Sequence, residues 1–275
     1  MNRTAWTPDA DPVVGIVTDD PRRKAEATGS TTSTAPTLEP SAALETAIAD
    51  RDGTLVTGSP EDVLAAEPSL VVAAAERTVA AVAAADLDAA ILPLGDVTGI
   101  EGIEPAALEA AIEAALAGET AVETRPLLSV ETPQGRRERA VFDVTLVTEE
   151  PAQISEYTVS SRGDRVARFR ADGVVAATPA GSDGYANAVD GPLLSAALEA
   201  LAVVPIAPFV TRTRRWVLPD DGLTISVERD EDPVVVCVDD RTLERVPAGE
   251  RVSIAADGSF STLVASTVDG VETSR

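Results

Sequence analysis

The chain of 275 residues has no histidine, one cysteine, one lysine, one methionine and only eight aromatic residues. Without histidine there is no imidazole general base, no imidazole metal ligand and no Ser-His-Asp triad. The single cysteine, Cys237, excludes an intramolecular disulfide and a thiolate zinc site, and within PVVVCV it reads as a small core residue. Aromatic surface is scarce, which makes Tyr185, one of two tyrosines, conspicuous. No stretch approaches the roughly 18 uninterrupted apolar residues of a membrane span. The polar start MNRTAWTPDADP also lacks the apolar core of a signal peptide, so the sequence predicts a cytoplasmic protein with no membrane partner.

Positive charge is the other scarcity. Forty-six acidic residues face 22 basic ones, a formal charge of −24, and arginine supplies every basic residue except Lys24. A dense acidic surface of this kind suits molar salt, where the screening length falls to about 3 Å, and it points to a halophilic protein. No positive stripe is present to follow a phosphate backbone, so nucleic acid is not an expected partner. What the chain has in quantity is Ala, Val, Leu and Ile; at 44% apolar residues and this length, two domains are expected.

Read in order, Val13 to Val17 is a strand that breaks at Thr18-Asp19-Asp20-Pro21, and the Ser/Thr/Pro-rich stretch Ala27 to Pro40 reads as a mobile loop. Ser41 caps a helix to about Asp50, Thr54 to Val56 is a strand, and Ser59-Pro60-Glu61-Asp62 opens a second helix. Strand Leu70 to Ala75, helix Val79 to Ala85 and strand Ala89 to Leu94 follow, and then a helix from Pro105 that Gly118 stops. This alternation predicts a parallel, doubly wound sheet. After Glu119 the period changes to two. Phe142 to Val147, the hairpin Thr158 to Phe169 around Arg162-Gly163-Asp164, Leu223 to Val227, Val234 to Val238, Arg251 to Ile254 and Thr262 to Ser266 read as strands. Leu193 to Leu201 reads as the one helical patch. The expected organisation is an α/β domain over 1–119 and a β-rich domain over 120–275.

The stretch Arg170 to Pro192, RADGVVAATPAGSDGYANAVDGP, runs a buried strand into a turn of small, hydroxylic and acidic residues and then toward a helix N-terminus. Such a turn suits an oxygen-rich ligand, and it equally suits an ordinary strand-to-helix loop. Asp172, Gly173, Thr178, Pro179, Gly181, Ser182, Tyr185, Gly191 and Pro192 hold their places in a pattern that resembles the signature of the NAD kinases. PIAPF (205–209), RWVLP (215–219) and LPLGDVTG (92–99) are similar to further segments of that family, and the resemblance covers most of residues 65–240.

The resemblance implies the NAD kinase fold: a Rossmann-like N-terminal domain, a β-sandwich-like C-terminal domain, and a C-terminal tail returning to the first. It implies phosphoryl transfer from ATP or polyphosphate to the adenosine-ribose 2′-hydroxyl of NAD, giving NADP, with Mg2+, in a homo-oligomer. It also implies a nucleotide site of Asp143, Asp172, Thr178, Gly181, Ser182, Tyr185, Ala207 and Asp239. The family's G-G-D-G-T motif stands here as Ala74-Ala75-Glu76-Arg77-Thr78, which makes Glu76 the candidate catalytic carboxylate and Arg77 and Thr78 the candidate phosphate ligands. Two alanines add Cβ atoms where glycine lets a backbone approach phosphate, and an alanine in a left-handed conformation costs about 1 kcal/mol or more. Phe142-Asp143 replaces the family's Asn-Glu, and Asp183-Gly184 replaces Thr-Ala. Three readings stay open on these departures: an active kinase with a drifted motif, a non-catalytic NAD(P)-binding regulator or oligomer partner, or, as in the lipid kinases that share the glycine-rich motif, a kinase of this fold with a different phosphoryl acceptor.

Overall fold

The computed structural model describes residues 3–18, 40–85, 87–150, 152–210, 212–229 and 232–264. The Ser/Thr/Pro-rich stretch up to 39, and the end of the strand expected over 262–266, lie outside them. The chain forms two compact units: Met1–Val97, Glu101–Arg125 and Phe260–Arg275 in the first, Thr98–Ile100 and Pro126–Ser259 in the second.

The first unit comprises β1 (Arg3–Ala5), β2 (Val13–Val17), α1 (Ala42–Ala49), β3 (Thr54–Gly58), α2 (Pro60–Leu64), β4 (Leu70–Ala74), α3 (Glu76–Ala84), β5 (Ala90–Leu94), α4 (Leu108–Leu116) and the beginning of β6 (Ala121–Glu131). Strands β3, β2, β4 and β5 pair in parallel in that order. Ser261 and Thr262 of the last strand lie parallel to β5. Strands β4 and β5 are buried along their whole length, which is why they read as unbroken apolar runs rather than alternating ones. Each helix begins where its sequence allows. The Ser41 hydroxyl accepts the Leu44 N–H, and Ser59 and Asp62 form a reciprocal capping box behind Pro60. Leu44 and Ile48 of α1 pack with Leu108, Ile112 and Leu116 of α4 on the sheet residues Val14, Ile16, Leu70, Val72 and Leu92.

The second unit continues β6 and adds β7 (Arg137–Ala140), β8 (Asp143–Thr148), β9 (Ser155–Ser161), β10 (Asp164–Ala171), β11 (Gly173–Ala177), α5 (Tyr185–Ala188), β12 (Ala200–Ile206), β13 (Trp216–Pro219), β14 (Leu223–Arg229), β15 (Val234–Val238), β16 (Arg241–Val246) and the beginning of β17 (Arg251–Val264). An antiparallel sheet in the order β13-β12-β11-β8-β15-β16 faces strands β10, β9, β14 and β17. Alternate residues of the two sheets meet in one core, with Val144, Leu146, Val174, Ala176, Val203 and Val236 against Tyr157, Phe169, Ile225 and Val252. The outer face of the six-stranded sheet is covered at one end, where Val175, Ala177, Ala202 and Val204 pack under Ala186, Val189 and Leu194.

Three expectations fail here. Leu193 to Leu201 is not a helix: Leu193 and Leu198 are exposed, and Ala200 opens β12, which pairs with β11 and β13. The helix-forming residues of that patch are outweighed by the two strand pairings available to the apolar run behind them. Cys237 is not in the core. The inward residues of β15 are Val234, Val236 and Val238, so Cys237 is half-buried on the outer face beside Thr145. Finally, the two strands expected around 251–266 are one fourteen-residue strand.

Candidate nucleotide site

The site grows from β11, a central strand flanked by β8 and β12. At its C-terminal end Thr178 fastens the turn to the segment before β8. Its N–H donates to the Phe142 carbonyl at 2.9 Å, and its hydroxyl donates to the Val141 carbonyl at 2.7 Å while accepting the Gly181 N–H at 3.1 Å. Ser182 does the same for the far side, donating to the Pro179 carbonyl at 2.7 Å and accepting the Leu194 N–H at 2.9 Å. Both residues are 1% exposed, and each hydroxyl has one donor and one acceptor within the protein. Gly181 is required sterically, because a Cβ there would overlap the Phe142 carbonyl. From the LPLGDVTG segment, Gly99 at φ 62° comes so close to the Ala180 carbonyl that a Cβ would overlap it too. A 3-10 turn over Gly181–Asp183 then leads into the four-residue α5, where the sequence predicted a helix N-terminus.

Tyr185, 44% exposed, is the only aromatic side chain among these turn residues. Burial raises its pKa, and the charges of Asp143, Asp172 and Cys237 add to the rise. Asp143 is held by the Thr145 hydroxyl at 3.0 Å. Asp172 precedes β11; burial lifts its carboxyl above the ordinary aspartate range. Its backbone is fixed by the Thr148 N–H at 3.0 Å and the Tyr157 hydroxyl at 3.2 Å, both donating to its carbonyl, and by its own N–H, which donates to the Ile206 carbonyl at 3.0 Å. Ala207, the next residue, is exposed and left-handed at φ 44°. Beyond it the Arg170 guanidinium lies 5.4 Å from the centre of the exposed Phe209 ring.

Asp239 belongs to a different kind of position. It is 7% exposed and opens a two-residue hairpin turn with Asp240, at φ 46° and 69°, between Val238 and Arg241. Its carboxylate accepts the N–H groups of Val141 at 2.9 Å, Phe142 at 2.7 Å and Asp143 at 3.2 Å. The sequence identified Asp239 as acidic and near the ligand; its engagement with three amides was not legible, because the partners lie about a hundred residues away. Thr148 and Tyr157 were missed for the same reason, since only sheet register brings them under Asp172.

Asp143, Asp172, Thr178, Gly181, Ser182, Tyr185, Ala207 and Asp239 all lie in the second unit, and Glu76, Arg77 and Thr78 in the first. Glu76 and Arg77 are exposed in the first turn of α3 and Thr78 is buried. Ala75, which precedes them, has φ 80° and ψ 150°, a backbone conformation essentially reserved for glycine. Among the described residues, no three or more His, Cys, Asp or Glu side chains are grouped to hold a metal. No helix among them is long and apolar enough to cross a membrane.

Residues 142–264 match the family model of the ATP-NAD kinase C-terminal domain. The chain is 36% identical over 134 residues to an NAD kinase of Methanothermobacter thermautotrophicus, covering 47% of this chain and 46% of that one. It is 34% identical over 118 residues to an NAD kinase of Methanosarcina barkeri, covering 42% and 43%. The matched segments thus span less than half the length of these relatives. In three dimensions the likeness is more extensive. A yeast NADH kinase solved with NADH superposes with a TM-score of 0.72 at 16% identity over 94% of this chain and 84% of its own. An Archaeoglobus fulgidus NAD kinase solved with ATP gives 0.68 at 17% identity over 92% of both. The α/β unit and the β-rich unit therefore have the NAD kinase fold.

Proposed function

We propose that the chain is an NAD kinase that binds NAD through its second unit and phosphorylates the 2′-hydroxyl of the adenosine ribose to give NADP. The observation that carries this reading is the half-exposed Tyr185 ring that follows a turn fixed by the buried hydrogen bonds of Thr178 and Ser182 and the close packing of Gly181, with Asp143 and Asp172 at the two ends of β11. A half-exposed phenol suits stacking on an adenine, and carboxylates suit the base amino group and the ribose hydroxyls. Asp172, partly desolvated, makes a stronger acceptor than a fully hydrated carboxylate would.

In the transfer, the ribose 2′-oxygen forms a bond to the terminal phosphorus of ATP or polyphosphate, the bond from that phosphorus to its bridging oxygen breaks, and the hydroxyl proton passes to a carboxylate. Glu76 is the carboxylate assigned to that proton, and Arg77 offers a planar donor set to the donor phosphates. Thr78 is the second candidate phosphate ligand; it is buried, and its N–H donates to the Ala75 carbonyl at 3.1 Å. Mg2+ finds no protein cage among the described residues, so no step is assigned to it. On the same reading the protein works as a homo-oligomer in a salt-rich cytoplasm; exposed Leu193, Leu198, Val210 and Val217 offer apolar surface for a subunit contact.

One observation favours a non-catalytic NAD(P) binder instead. The Ala75 Cβ stands on the loop where a glycine would leave backbone N–H groups open to phosphate. Purified protein incubated with NAD, Mg2+ and either ATP or polyphosphate in molar KCl decides between the two. NADP formation well above an E76A control is expected. Calorimetric binding of NAD without NADP would establish the second reading, and no binding of NAD, NADP or ATP would end both.

A further inference from the structure

We propose that Asp239 is the positioning residue of the nucleotide site: its carboxylate orders Val141–Asp143, and through that segment it sets both Asp143 and the Thr178–Ser182 turn. The proposal rests on the reading of this face as the NAD site, and it replaces the direct ligand contact that sequence position suggests for Asp239.

Each connection is short. Asp239 Oδ2 accepts from Val141, and Oδ1 accepts from Phe142 and Asp143. The Asp239 N–H donates back to the Asp143 carbonyl at 3.1 Å, so one residue grips the Asp143 backbone on both sides. With their N–H groups held, Val141 and Phe142 present their carbonyls to Thr178, which takes both. Gly181 then packs on the Phe142 carbonyl with no room for a Cβ. A carboxylate accepting several backbone N–H groups is a strong, directional anchor.

Burial raises the Asp239 pKa, while the three N–H groups and Arg241 favour its ionised form. A side chain that orders two parts of one ligand site through backbone hydrogen bonds is a positioning group. The left-handed hairpin turn explains how the position tolerates it, because aspartate and asparagine accept positive φ better than other side chains with a Cβ.

The test uses D239N, which keeps a turn-compatible residue, and D239A as a second variant. Amide hydrogen exchange in the absence of ligand reads the scaffold directly. Protection should fall at Val141, Phe142 and Asp143 and also across Thr178–Ser182, while the core strands β9 and β14 keep theirs. Loss confined to 141–143, or no loss in either variant, overturns the proposal. Calorimetry then reads the consequence: NAD affinity should fall at least tenfold in D239N, and D143A/D239N should bind no more weakly than the weaker single variant. Additive losses would mean that Asp239 acts independently of Asp143 and would overturn the proposal as well. If the unaltered protein fails to bind NAD, the functional reading falls, and the exchange experiment still decides the role of Asp239.

Discussion

Ala75 shows how much a single residue can store. Its φ of 80° with ψ of 150° puts a Cβ in a region that costs of the order of 1–3 kcal/mol for anything but glycine. The loop takes a course that glycine would follow more easily than alanine. Replacing Ala75 by glycine relieves that strain, against about 0.5–1 kcal/mol of extra chain entropy lost on folding. We therefore expect A75G to be more stable by about 1 kcal/mol in urea unfolding. An unchanged or lower midpoint would mean that the alanine is not strained in solution. Aspartate positions obey the same logic with less cost, since Asp239 and Asp240 sit left-handed in a two-residue turn that favours them.

At the scale of elements, the site is a strand and the turn that leaves it. Strand β11 has neighbours on both sides, which gives the turn a rigid origin, and the turn is fixed afterwards by Thr178, Gly181 and Ser182. Gly181→Ala tests that construction, because the added methyl must displace the Phe142 carbonyl. A cost of about 1–3 kcal/mol in stability and a loss of NAD binding are expected. Gly222→Ala, whose Cβ would find its nearest neighbour 3.6 Å away at Arg162, serves as the control and should change neither. Equal behaviour of the two variants in denaturation and calorimetry would show that the close approach to Phe142 is not required. Element boundaries were legible where the signal was local: the caps at Ser41 and Ser59, the stop at Gly118 and the Arg162-Gly163 turn all lie where side-chain chemistry puts them. The false helix at Leu193 to Leu201 shows the opposite case, where strand pairing with distant residues overrode a local preference.

For the molecule as a whole, the dominant fact is a charge of −24 spread over surfaces with few cations. Several of the described arginines are engaged in exposed pairs, such as Arg162 with Asp221 and Arg245 with Glu149, each of which is worth little in water. Self-repulsion is therefore left to the solvent to screen. Raising KCl from about 0.1 M to 1 M shortens the screening length from about 10 Å to about 3 Å, and the thermal midpoint should rise steeply over that range. An equal gain in sucrose, which does not screen charge, or no gain in KCl, would contradict this account.

The sequence by itself determined the order of elements from Val13 to Leu116, the change from helical to alternating period near residue 120, the exclusion of histidine chemistry and the signature turn that marks the fold. These are local properties: cap, period and turn residues act on neighbours a few positions away. Only the tertiary structure decided what the signature residues do. It gave the Thr178 and Ser182 hydroxyls internal partners, turned Cys237 outward and set Tyr157 beneath Asp172. It also made Asp239 a clamp on a segment about a hundred residues earlier in the chain. Sheet register assigns those partners, and register is fixed by the packing of a whole core, which no short stretch of sequence contains.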